Sequence, residues 1–125
     1  MKIPVQYNRL MPYLIVPEAY KFIEFTKNIF GATEQTIVPR TGSENVIMHG
    51  EVRIGDAVVM FADVTEQFAS KPAGMLIYVE NVDETHKKAI AWGASSLMEP
   101  GQQPYGYTSG FHDPFGNDWW IVQGE

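Results

Sequence analysis

The chain contains no cysteine, which removes disulfides, thiol nucleophiles and zinc–thiolate sites together. Its only arginines are Arg9, Arg40 and Arg53, and they form no run. Clustered cations are what neutralise a phosphate backbone, so a nucleic-acid partner is not expected. No stretch reaches the roughly 18 consecutive apolar residues of a membrane span. The opening MKIPVQYNRLMPYLIVP is interrupted by polar residues too often for a signal peptide. No membrane partner and a cytoplasmic setting are therefore expected. There is no G-x-G-x-x-G or Walker pattern, which leaves nucleotide binding unsupported, and no pair of histidines at helical i, i+4 spacing. A triad of Ser109, His49 and Asp63 can be assembled on paper, but no nucleophile elbow accompanies it.

What is present is an ordinary globular composition: 125 residues, 45% hydrophobic, with seven Phe, six Tyr and three Trp. A chain of this size buries about 65% of its unfolded surface and needs no metal or disulfide to fold. Fifteen Asp and Glu against nine Lys and Arg give −6 at pH 7, which serves solubility and also favours a cationic ligand.

Apolar periodicity predicts a strand over 11–16, then a helix with Pro17 in its first turn and Gly31 at its exit, carrying Tyr20, Phe22, Ile23 and Phe25. Strands follow over 33–38, 45–54 and 57–61, with a turn-rich loop at 39–44 and a hairpin turn at Gly55-Asp56. The second half reads alike. A strand covers 74–80, and a helix capped by Asp83, with His86 at its N3 position on a polar surface, exits at Gly93. An extended stretch covers 94–98, a loop unable to hold a regular element covers 99–104, and a strand pair flanks the Asp113–Asn117 turn. Phe30-Gly31-Ala32 returns as Trp92-Gly93-Ala94 62 positions on, and Gly55-Asp56 as Gly116-Asn117 61 positions on. The expected architecture is α+β: two βαβββ modules in a single domain over 1–125, module one at about 8–63, a linker anchored by Phe68 at 64–72, and module two at about 74–123. Strand alternation sends Trp119 and Trp120 to opposite faces, and the repeat matches them to Val58 and Val59.

In their order and spacing, three segments carry a resemblance: Val16-Pro17 with Phe25 and Phe30-Gly31-Ala32; HGEVRIGDAVVMFAD from His49 to Asp63; and HDPFGNDWW from His112 to Trp120. The sequence resembles the vicinal oxygen chelate superfamily, the glyoxalase, bleomycin-resistance and ring-cleaving dioxygenase group, and within it the PhnB-like branch. The resemblance covers about 11–122. It implies βαβββ modules around an open cavity, often completed by a second chain, and in catalytic members a divalent metal held from the first and last strands of the modules. Those places fall here on Met11, near Val59, on or beside Gly74, and on Trp120. None of these offers a good donor to a divalent cation, so no metal or other cofactor is expected.

The remaining candidates are polar or aromatic. His49, Glu51 and Arg53 share one strand face, with successive side chains about 6.5–7 Å apart. His49 is a candidate ligand contact, while Glu51 and Arg53 read as a solvated ion pair. Asp113 forms the turn, and His112 is a candidate for reaching the cavity. A non-standard metal site from His49, His112 and Glu80 stays open. Tyr105 and Tyr107 alternate beyond the Pro/Gly-rich loop and, with Trp120, offer flat aromatic area suited to an organic ligand. The expected site is Trp120, Tyr105, Tyr107, His49 and Met11, holding a small aromatic or cationic molecule without metal, in a homodimer. The alternatives are a metal-dependent lyase, isomerase or dioxygenase with displaced ligands, and a dimeric scaffold.

Overall fold

The computed structural model describes residues 1–125. The chain divides into two compact units, 1–71 and 72–125, each with one four-stranded sheet and one helix. In the first unit β1 (Tyr13–Val16), α1 (Ala19–Phe30), β2 (Thr33–Arg40), β3 (Ser43–Ile54) and β4 (Ala57–Asp63) build a sheet of order β1-β4-β3-β2. In the second, β5 (Gly74–Val79), α2 (Val82–Ala91), β6 (Ser95–Gln103), β7 (Gly106–His112) and β8 (Asp118–Gln123) give the order β5-β8-β7-β6. The fold is α+β with two βαβββ modules. In each, the first strand runs parallel to the last and the other pairings are antiparallel.

Helix α1 starts at Ala19, two residues later than expected from Pro17. Glu18 sits left-handed at φ 52° and offers no side-chain cap. The cap comes from β4. The buried Asp63 carboxylate accepts the Ala19 N–H at 2.9 Å and the Ile47 N–H at 2.6 Å, tying helix start, β3 and β4 together. Gly31, at φ 68°, closes the helix as expected. Phe22, Ile23, Phe25 and Ile29 are buried, and Phe22 meets Phe61 edge-on at 5.1 Å. Phe61 lies directly across from Gly50, and a Cβ on Gly50 would come within 2.5 Å of its ring. The helix-facing side of β3 and β4 therefore carries Gly50, Phe61, Val52 and Val59, and the open side carries His49, Glu51, Arg53 and Met60.

Four further expectations change. Helix α2 is capped by Asn81, whose Oδ1 accepts the Glu84 N–H at 3.0 Å, rather than by Asp83. The stretch 99–104, expected as loop, is mostly strand: β6 continues through Pro100 and Gly101 to Gln103. It is an edge strand, so the missing Pro100 N–H deprives no neighbour of a bond, and register shifts at Ser96/Met98 and Met98/Gly101 absorb the irregularity. β2 passes through Pro39 to Arg40 for the same reason. Phe68 is exposed rather than an anchor, and the linker is held instead by backbone pairing of Ile15 with Lys71.

Candidate functional site

The HDPFGN segment is a buried hydrogen-bonded turn. Asp113, 1% exposed, accepts the Phe115 and Asn117 N–H groups on Oδ1 at 2.8 and 2.9 Å, and Asn117 Nδ2 and Trp119 Nε1 on Oδ2 at 2.9 and 2.8 Å. Trp119 is thereby fixed on the helix-facing side, where its cross-strand partner Phe111 packs edge-on to His86 of α2 at 6.1 Å. Trp120 points the other way. Its ring covers Gly110, where an added Cβ would fall 2.3 Å from Cζ3, and it stays 37% exposed. A glycine is required there for the indole to lie flat on the sheet. Leu76, across from Trp120 on edge strand β5, and Tyr78, two residues on, are exposed on the same face.

The repeat correspondence drawn from sequence is off by one. The first unit turns in two residues between Ile54 and Ala57, the second in five between His112 and Asp118. Counting from the shared glycines therefore pairs Trp120 with Val59, which faces the helix. The open-face counterpart is Met60, in a row with Tyr13 and Glu51. Methionine there is no better a donor to a hard divalent ion than valine. No group of three or more His, Asp or Glu side chains comes together anywhere in the chain to hold a metal. The residues present do not fit the metal that the resemblance implies.

The aromatic candidates separate. Tyr107 is on the helix-facing side of β7 and donates its hydroxyl to Asp83 Oδ1 of α2 at 2.7 Å, so it does not share the face of Trp120. Tyr105 is exposed in the β6–β7 turn. Met11 precedes β1 and is partly buried. His112, exposed, lies with Nδ1 2.6 Å from Asp118 Oδ1.

His49 lies in a polar cluster on the open face of the first sheet. The expected solvated Glu51–Arg53 pair does not form. Glu51 is 2% exposed and accepts Tyr7 Oη at 3.0 and 3.1 Å, Gln35 Nε2 at 2.9 Å and His49 Nε2 at 2.7 Å. Arg53 donates instead to Gln35 Oε1 at 3.4 Å and to the Gln6 carbonyl. The far nitrogen of His49, Nδ1, lies 3.0 Å from the hydroxyl of Tyr13. Burial alone raises the Glu51 carboxyl, but its donors Gln35, His49 and Tyr7 outweigh it and hold the group below the usual carboxylate range. The Tyr7 phenol is pushed up, first by its hydrogen bond to Glu51 and then by burial. The Tyr13 phenol is pushed up by burial and by the Glu51 charge. Tyr7, Tyr13 and Gln35 went unnoticed in the sequence. The one available signal was that a glutamate in an alternating strand needs donors if its face is covered.

His86, expected on a solvated helix face, is 5% exposed. Its Nδ1 lies 2.8 Å from Ser109 Oγ and its Nε2 3.1 Å from Ser96 Oγ, which in turn donates to Glu99 Oε2. With each group in this chain partnered, His86 ties α2 to β6 and β7. A groove of about 600 Å³ runs beside it, with Lys87, Ile90, Glu99 and Pro100 among its walls.

Against known proteins, the description "Glyoxalase/Bleomycin resistance protein/Dioxygenase superfamily" matches residues 6–121. An uncharacterised protein of Mycobacterium bovis is 29% identical over 126 residues, covering 91% of this chain and 82% of its own length. Among solved structures, protein PA1353 from Pseudomonas aeruginosa superposes with a TM-score of 0.76 at 22% identity, over 94% of this chain and 99% of that one. TnmS3, an antibiotic binding protein from Streptomyces sp. CB03234, superposes at 0.72 with 19% identity, over 100% and 99%. PhnB protein from Bacillus cereus does so at 0.72 with 18%, over 94% and 100%. No helix is long and apolar enough to cross a membrane. With its paired βαβββ modules and a match that spans most of its length, the chain belongs to the glyoxalase/bleomycin resistance protein/dioxygenase superfamily.

Proposed function

We propose that the protein binds a small, partly aromatic organic molecule without a metal, using the indole of Trp120 as its platform. The observation that carries this is the indole spread over Gly110 with more than a third of its surface open, on a face it shares with exposed Leu76 and Tyr78. A ring stacked there gains apolar burial and aromatic contact, and a cationic ring adds attraction to the indole and to the net charge of −6. The unsuitable donor set at the superfamily's metal positions supports the same reading, and so does the likeness in fold to TnmS3, an antibiotic binding protein. Pairing of two copies belongs to the proposal too, with Leu76 and Tyr78 on the exposed edge strand as the surface a second chain would cover. Sedimentation showing only the single-chain mass would remove that part.

Tryptophan fluorescence against a panel of planar aromatic and cationic compounds tests the platform. Saturable quenching in the native protein, lost in W120A, is the expected result. A panel that leaves native emission unchanged, or quenching that survives in W120A, counts against it.

A further inference from the structure

We infer that Tyr13, His49 and Glu51 form a proton relay that takes the proton of a phenolic hydroxyl bound on the open face of the first sheet. This goes beyond the aromatic platform and does not rest on it. The direction of the relay follows from its buried end. An ionised carboxylate only accepts hydrogen bonds, so the 2.7 Å contact between Glu51 Oε2 and His49 Nε2 places the imidazole hydrogen on Nε2. Nδ1 is then a lone pair, and the Tyr13 hydroxyl 3.0 Å away donates to it. The outer end of the chain is the phenolic oxygen of Tyr13, in a residue 49% exposed, which turns acceptor capacity outward. The open side of the same rows carries Met60 and Ile15, both partly buried.

A directed acceptor among apolar side chains suits a ligand with one acidic hydroxyl on an aromatic body. It suits a cation less. The Glu51 carboxylate oxygens are already taken by three donors, Tyr7, Gln35 and His49, which leaves a cation no direct ion-pair partner there. In the transfer, the ligand O–H bond breaks and its proton joins Tyr13 Oη. The hydroxyl proton of Tyr13 moves to His49 Nδ1. The products are a phenolate beside neutral Tyr13 and an imidazolium held by the Glu51 carboxylate. Charge and protons balance, and no oxidant or reductant is needed. Burial and the Glu51 charge raise the Tyr13 pKa and so keep its hydroxyl protonated between transfers. Tyr13 and His49 carry the proton. Glu51 is a positioning residue that sets the tautomer of His49.

The test uses 4-nitrophenol, whose phenolate is yellow and whose phenol is not, titrated against pH with the full chain in saturating excess. The expected result is a phenolate-to-phenol ratio at least about tenfold above the free compound at the same pH, a shift of one pKa unit or more. Y13F, at a half-exposed position that keeps the ring, and H49Q should return the ratio to that of the free compound, while H112Q in the other unit should leave the shift intact. For Glu51, ¹⁵N spectra of His49 should report the Nε2–H tautomer in the native chain and lose that preference in E51Q. Failure of 4-nitrophenol to bind, binding with an unshifted titration, a shift that persists in both Y13F and H49Q, or a His49 tautomer unchanged in E51Q would each overturn the relay. The platform's failure is read separately, from indole emission.

Discussion

The carboxylate of Asp113 holds the indole of Trp119, Oδ2 accepting Nε1–H at 2.8 Å inside the turn that joins β7 to β8. One oxygen thus anchors the inward tryptophan of an adjacent pair, and the strand's alternation then turns Trp120 outward. A residue that reads as turn chemistry also orients the face on which a ligand is proposed to bind.

Replacing Asp113 by Ala leaves four donors without an acceptor in a buried turn. The expected loss is about 3–5 kcal/mol, since each unsatisfied buried group costs on the order of 1–3 kcal/mol and the groups are coupled. D113N should cost less, about 1–3 kcal/mol, because one oxygen still serves the backbone while an amide now opposes two donors. Urea midpoints of the two variants against the native chain measure this. Equal, near-native midpoints would mean that the turn is held by something else.

Two glycines lie under aromatic rings and should respond differently to a methyl group. Gly50 sits beneath Phe61, which is fully buried and wedged against Phe22. G50A should therefore destabilise by about 1–3 kcal/mol through overpacking. Gly110 sits beneath Trp120, which is partly open and can swing away. G110A should cost less stability yet shift the emission maximum and weaken any quenching ligand. Thermal melts compare the stabilities and emission spectra follow the ring. A larger loss from G110A than from G50A would contradict the packing described.

The Glu51 cluster gives stability a pH dependence of known sign. Its folded carboxyl sits below the ordinary value, so its contribution is present above the unfolded glutamate range near pH 4 to 4.5 and is lost as pH falls through the folded value. Tyr7 and Tyr13 are raised. Their contribution is complete below the unfolded tyrosine value near pH 10 and is lost as pH rises through the folded ones. Denaturation profiles of the native chain and E51Q should diverge on the acid side, with the variant's acid limb shallower. Parallel limbs would show that Glu51 contributes nothing there.

The two-module fold was legible in the sequence because its punctuation is local. Gly31 and Gly93 end helices at positive φ, the Gly55-Asp56 hairpin is short, and the aliphatic runs between them alternate. What sequence misplaced depends on backbone conformation or on partners that spacing does not show. Asp63 caps a helix from 44 residues away, Asn81 displaces Asp83 by being the residue with extended backbone, and β6 tolerates Pro100 only as an outer strand. The histidines show the same division. Strand alternation alone puts His49 on one face with Glu51, and the structure has it so. The burial of Glu51, and of His86 beside Ser109, follows from side chains on other elements that no spacing rule reaches. The one-residue error between Val59 and Met60 came from hairpins of unequal length, visible only once the cross-strand register is known.

The prolines in β2 and β6 also matter beyond one chain. Pro39 and Pro100 sit, with slipped registers, on the strands that end one side of each sheet. Such a rim presents a gapped and kinked row of amides, and a stray strand from a neighbouring molecule cannot zip along it. At high protein concentration these borders resist runaway stacking into fibrils, and because Ile15 of β1 is already paired with Lys71, β5 is the rim left open to an added strand.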